Sequence, residues 1–247
     1  MRDAADDSSS GGDDWIAPTT SFWQTLRPPA ADRASSVPPY RYAYAARLPD
    51  GSELDLPLRR ISGSPDRALA SLIANQASFE VVAALAAFMA DLARPLAPQV
   101  VVGLPTLGLA FAPLVAQHLG MRNFVPLGYS RKFWYTEALS VPVRSLTTPG
   151  AGKRLYLDPN VVPRLAGLRA VVVDDAISSG QTAAAAVGLL SKAGSEVGGI
   201  VVAMLQGSAW RAHLASLGSA WPQKVHGVFH SPRFVRAPDG WVPATGE

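Results

Sequence analysis

Residues 170–186 read AVVVDDAISSGQTAAAA. Four apolar residues run into two adjacent aspartates, Asp174 and Asp175; a turn of small residues ending at Gly180 follows, and then an alanine run. A strand buried on one face alternates, whereas one covered on both faces is apolar almost throughout, so the valines predict a central strand. Alanine has the highest helix propensity, so the run after Gly180 predicts a helix. Strand, turn and helix in this order form the repeating unit of a parallel sheet. Ligands of such sheets bind at the carboxyl ends of the strands, which is where the two aspartates fall.

The same alternation extends outward. QVVVGL (99–104) reads as a short buried strand, LAFAPLVAQHLG (109–120) as a helix closed by Gly120, and NFVPLGY (123–129) as a second strand. RLYLD (154–158) is a third strand candidate and VGGIVVAMLQ (197–206) a fifth, with LRAVVVDD between them; AWRAHLASLG then predicts a short helix and KVHGVF a last strand. The expected fold is therefore α/β, a mainly parallel twisted sheet with helices on both faces. Upstream, YRYAYAARL alternates and PDG (49–51) marks a turn, so a hairpin continuing into SELDLPLRRI is expected. Apolar residues at three- and four-residue spacing predict one helix over 66–93, ended by Pro95 and Pro98.

Four segments follow. Residues 1–14, rich in Asp, Ser and Gly, are an expected disordered acidic tail; 15–65 form an arm or hood with aromatic anchors such as Trp15, Phe22 and Trp23; 66–206 form the core; 207–247 complete the sheet and hood. A loop over 130–152, long for a compact domain, suggests function or disorder. The tail carries five aspartates and one arginine, which leaves the rest of the chain at +7 against an overall +3. That suits an anionic small molecule. No dense Lys/Arg cluster with interleaved aromatics appears, so nucleic acid is not the expected partner. No apolar run is long enough for a membrane span and no secretory signal opens the chain. The absence of cysteine removes disulfides, thiolate zinc sites and a cysteine nucleophile, and fits a cytoplasmic protein.

The turn after Asp175 offers unsatisfied backbone N–H groups and hydroxyls at a helix N-terminus, a cradle for phosphate. Carboxylates accept hydrogen bonds only, which suits vicinal hydroxyls or a hard cation. One ligand meets both demands: a ribose 5-phosphate.

VVVDDAISSGQT closely resembles the PRPP-binding signature of type I phosphoribosyltransferases, with Ala176 smaller than the usual aliphatic residue. The resemblance implies that Asp174 and Asp175 hold the ribose hydroxyls of PRPP. It gives the 5-phosphate to Ala176, Ile177, Ser178, Ser179, Gly180, Gln181 and Thr182. It also implies a short loop that binds pyrophosphate, which here is Thr106, Leu107 and Gly108, without the Arg or Lys many members carry there. A closing lid falls on 130–152, bringing Arg131 and Lys132 to the departing pyrophosphate, with Lys153 and Arg154 adding to the same field. Mg²⁺ is the implied cofactor, carried on PRPP, and a homodimer the implied assembly.

Hypoxanthine- and guanine-type members place an aspartate, the proton acceptor, two residues before the motif glycine. This chain has Ser178, so the resemblance is closer to adenine-, orotate- or xanthine-type members, and the proton-transfer residue stays unassigned. The implied activity is transfer of ribose 5-phosphate from PRPP to a nucleobase, purine-type first, with release of pyrophosphate. The alternative is a non-catalytic sensor of PRPP or nucleotides on the same fold. Phe229, Phe234 and Trp241 are candidates for stacking on the base. His226 and His230 lie four apart in a stretch that reads as strand or loop, where that spacing does not converge on a metal.

Overall fold

The computed structural model describes residues 21–28, 37–143 and 153–245. The expected acidic tail, Trp15 and the TTPGAG run of the long loop lie outside them.

The central sheet is five-stranded and parallel throughout. Its order is β10 (Val225–Ser231), β9 (Glu196–Gln206), β8 (Arg169–Ile177), β4 (Val100–Gly103) and β5 (Val125–Pro126). The motif strand β8 is the middle one. Alternation along it explains why residues 170–173 are all apolar. Val171 and Val173 face one core, with helices α1 (Phe79–Ala93) and α2 (Gly108–His118); Ala170 and Val172 face the other, with α3 (Gln181–Lys192) and α4 (Ala209–Ala215). Burying each of these valine side chains contributes about 1.5–3 kcal/mol.

The second sheet is antiparallel, in the order β1 (Ala43–Arg47), β2 (Glu53–Ile61), β3 (Ser64–Ala70), β11 (Arg233–Ala237), β12 (Gly240–Pro243). Reciprocal backbone bonds between Tyr40 and Trp241, 2.7 and 2.6 Å, tie the chain just before β1 to β12 at the far edge. Both ends of the sheet are thereby joined and its apolar interior is enclosed. The β1–β2 hairpin is the one expected from the PDG turn.

Two expectations are corrected. The helix predicted over 66–93 starts only at Phe79, capped by the Ser78 hydroxyl, which accepts from Val81 N at 3.2 Å. Residues 64–70 form β3 instead, because β2 and the distant β11 both pair with it. The link 71–78 is held by Trp23, whose indole N–H donates to Ser71 O and whose carbonyl accepts from Ser78 N, each at 3.0 Å. The RLYLD segment forms β7 (Arg154–Tyr156), which lies outside the central sheet and pairs antiparallel with β6 (Ser140–Pro142). SPRFVRAPDGW, expected to help complete sheet and hood, forms the β11–β12 hairpin.

Candidate active site

The β8 ladder continues through Ala176 and Ile177, so Asp174 and Asp175 are strand residues near its carboxyl end. Ser178 and Ser179 then lead to Gly180, whose φ of +79° is left-handed and open to glycine without strain. An added Cβ there would stand 3.3 Å from the backbone of Trp210 on α4, so this position is restricted in space as well. The first turn of α3 contains no acidic residue, and its glycine N-cap has no side chain to satisfy the free N–H groups. Asp174, Ala176, Ile177, Ser178, Ser179, Gly180, Gln181 and Thr182 line one cavity of about 190 Å³ at this edge.

The segment Thr106–Gly108 joins β4 to α2 and reaches the same place. Gly108 sits so close to Asp174 that a Cβ would come within 2.8 Å of the aspartate's Cα and Oδ1 and of Val173 O. Its backbone favours the charged form of the Asp174 carboxyl group, though burial outweighs it. Asp175 N donates to Asp174 Oδ1 at 2.9 Å, which sets the two carboxyl groups side by side. Burial, and then the neighbouring Asp175 charge, push Asp174 well above the usual carboxylate range; burial raises Asp175 as well. Burial thus favours the protonated form across the pair before any ligand arrives.

Tyr129 is a site residue that the sequence reading passed over. It follows β5, and Thr182 of the phosphate cradle acts on its hydroxyl, favouring the charged form. Burial raises its pKa, and the charges of Asp174 and Asp175 act in the same direction. Lys153 stands over its ring, 5.3 Å from the centroid. The signal was available: the final Tyr of NFVPLGY lies at the carboxyl end of a parallel strand, where ligands bind.

Arg131 is engaged elsewhere. It pairs with Glu137 at 2.9 Å, and Arg154 meets the other oxygen of that carboxylate at 3.3 Å. Lys132 is exposed, and its carbonyl accepts from Tyr135 N. The three aromatic candidates for base stacking are closed off. Phe229 is 5% exposed, and Phe234 and Trp241 are fully buried. Phe234 packs edge-on against Tyr40 at 5.8 Å inside the antiparallel sheet. A base cannot stack on any of them. Among the described residues, no three His, Asp, Glu or Cys side chains group to hold a metal.

A strand bearing paired acids, a glycine turn into a helix, and a second loop folded onto the first acid form one arrangement, and residues 69–220 match the phosphoribosyl transferase domain. The chain belongs to that family. Adenine phosphoribosyltransferase of Erythrobacter litoralis is 36% identical over 119 residues, 48% of this chain and 63% of that protein; the chain thus spans less than two thirds of this relative's length. The phosphoribosyl transferase fold is also seen in solved structures. Adenine phosphoribosyltransferase from Thermoanaerobacter pseudethanolicus superposes with a TM-score of 0.55 at 16% identity, over 71% of this chain and 95% of that one. The APRTase from Giardia lamblia, complexed with 9-deazaadenine, gives 0.55 at 17% identity, over 71% and 93%.

Proposed function

We propose that the protein is a phosphoribosyltransferase that moves ribose 5-phosphate from PRPP to a purine base, adenine first, and releases pyrophosphate. The observation that carries this reading is the contact between Gly108 and Asp174, which joins the candidate pyrophosphate loop to the acidic pair and the phosphate cradle. Adenine is favoured by the relative from Erythrobacter litoralis and by Ser178, which replaces the acid of the hypoxanthine and guanine type.

In this reading Asp174 and Asp175 accept from the ribose hydroxyls, and the N–H groups and hydroxyls from Ser178 to Thr182 hold the 5-phosphate. Bond breaking at the anomeric carbon builds positive charge on the sugar and negative charge on the leaving pyrophosphate. The paired carboxylates stand on the side of the sugar, and the N–H groups of Thr106–Gly108 on the side of the leaving group. Two adjacent carboxyl groups without a third protein ligand fit a Mg²⁺ that arrives on its substrate's oxygens. Asp174 and Asp175 would then meet its coordinated water or the ribose hydroxyls, and the ion would supply charge neutralisation at the pyrophosphate. We further propose a cytoplasmic homodimer. Among the described residues no helix is long and apolar enough to cross a membrane.

The test is a panel of nucleobases with PRPP and Mg²⁺, following pyrophosphate. Turnover with adenine is expected. A folded protein that binds PRPP and turns over no base would overturn the enzymatic reading and leave the sensor.

A further inference from the structure

A further cavity, of about 630 Å³, lies away from the acidic pair. Three segments line it: the second half of α2, the connection 121–124 that leads into β5, and Arg164 at the end of the 3₁₀ helix Pro159–Arg164, which precedes β8. All three lie at the amino ends of the parallel strands, whereas Asp174 and Asp175 lie at the carboxyl end of β8. Helix α2 gives the separation. It starts at Gly108, beside Asp174, and Gln117 in its last turn lines the cavity. At 1.5 Å per residue these positions are about 14 Å apart along the axis.

The sequence after α2 explains how the cavity forms. Gly120, at φ +77°, lets the chain turn back, and Leu119 N, Gly120 N and Met121 N donate to the carbonyls of Val115, Gln117 and Ala116. Those carbonyls are thereby satisfied, so less of the helix's negative end faces the cavity. The turn returns Met121 and Phe124 to the core that α1 and α2 share, where both are half-buried. They form a fixed apolar wall suited to a flat ring.

The polar lining points to the rest of the ligand. Arg122 and Arg164 are exposed at the cavity. Among the described residues no carboxylate lines it, and neither arginine has an ion-pair partner. Arg131 and Arg154 differ, since both are held by Glu137. Two forked guanidinium groups without an acid suit a phosphate. Gln117 and Asn123 add amides, which both donate and accept at the edge of a heterocycle. Small-molecule sites enclose about 300–1,000 Å³, a range that includes this volume.

We propose that this cavity binds a nucleoside monophosphate, with its ring against Phe124 and Met121 and its phosphate on Arg122 and Arg164. The site is separate from the acidic pair and the phosphate turn, and it does not depend on the PRPP reading.

The probe is AMP, measured by equilibrium dialysis with and without saturating PRPP–Mg²⁺, which would occupy the acidic-pair site. With PRPP–Mg²⁺ present, the wild type should still hold one AMP per chain. Arg122→Met/Arg164→Met should weaken that AMP at least about tenfold, as expected for loss of charge-assisted contacts. It should leave thermal stabilisation by PRPP–Mg²⁺ unchanged. Asp174→Asn/Asp175→Asn should retain the AMP. Adenosine and inorganic phosphate should each bind at least about tenfold more weakly than AMP, since each lacks half of the contacts. Undiminished AMP binding in the arginine variant, or none in the wild type once PRPP–Mg²⁺ is bound, would overturn the site. Phosphate binding as tightly as AMP would overturn the nucleotide assignment, and adenosine doing so would overturn the role of the arginines. Both arginines are exposed, so their variant is expected to fold, with an unchanged urea midpoint as the check. A wild type that ignores PRPP but binds AMP through these arginines would sink the PRPP reading and leave this site standing.

Discussion

The two five-stranded sheets of this protein reach their order by opposite routes. In the parallel sheet β4, β8 and β9 are each followed by a helix, and the chemistry collects where strand turns into helix. In the antiparallel sheet the partners are far apart in sequence: Phe234 lies opposite Ala68, and Tyr40 opposite Trp241. The first sheet carries its candidate site on local motifs. The second encloses aromatics, and its contribution is packing. Residue type alone does not separate these roles, since an aromatic near the carboxyl end of a sequence serves equally well for stacking on a ligand or for filling a core.

That division of roles is open to direct attack. Phe234→Ala removes a fully buried ring from the antiparallel sheet and should cost about 3–5 kcal/mol, seen as a lower urea midpoint. Ribose 5-phosphate affinity measured below the transition should change less than about twofold. A loss of affinity without a loss of stability would return Phe234 to the binding site.

Gly108→Ala probes the other side. Its Cβ would meet backbone atoms of Asp174 and Val173, which cannot rotate away. Overpacking of this kind costs about 1–3 kcal/mol, and here it should also abolish thermal stabilisation by PRPP–Mg²⁺. Retained stabilisation would show that the loop and the acidic pair work separately.

Asp174 offers a smaller effect of opposite sign. Burial raises its folded-state pKa above the unfolded value, so the folded protein holds more protons in the interval between the two. Stability of the ligand-free protein therefore falls as pH rises through that interval, and above it the full cost is present. Asp174→Asn should remove this fall and stabilise the ligand-free protein at neutral pH by on the order of 1 kcal/mol, read as a flatter profile of melting temperature against pH. Ligand hydroxyls favour the ionised pair, so wild-type affinity for PRPP–Mg²⁺ should rise with pH over the same range. A parallel profile for wild type and variant would contradict the buried-charge account.

The smallest effect belongs to the loop. Glu137→Gln weakens two partly exposed ion pairs, with Arg131 and Arg154, and should change stability by less than about 1 kcal/mol. A larger loss by urea unfolding would make that cluster part of the core's support.

The contrast also explains what could be read from the sequence. The central strand, the glycine turn and the alanine helix were legible because neighbours in sequence decide them. The same holds for α2, which begins at the very glycine that touches Asp174. Residues 64–70 misled because leucine spacing there continues into α1, while the deciding partners are β2 and a strand more than 160 positions later. Tyr129 was passed over because its neighbours Thr182 and Lys153 are brought to it by the fold, from α3 and from the residue before β7. Phe229, Phe234 and Trp241 were offered to a ligand, but their burial follows from sheet pairing that local sequence does not encode.

The central claim is that the adjacent aspartates and the turn behind them form one site for one sugar phosphate. The most direct measurement is thermal unfolding with and without PRPP–Mg²⁺, in the wild type and in Asp174→Asn/Asp175→Asn. At a hundredfold excess over Kd, binding should add about 2.7 kcal/mol, a rise of roughly 5–10 °C for a chain of this size. The double variant, folded and at least as stable without ligand, should show no rise. An undiminished rise in the double variant would contradict the claim.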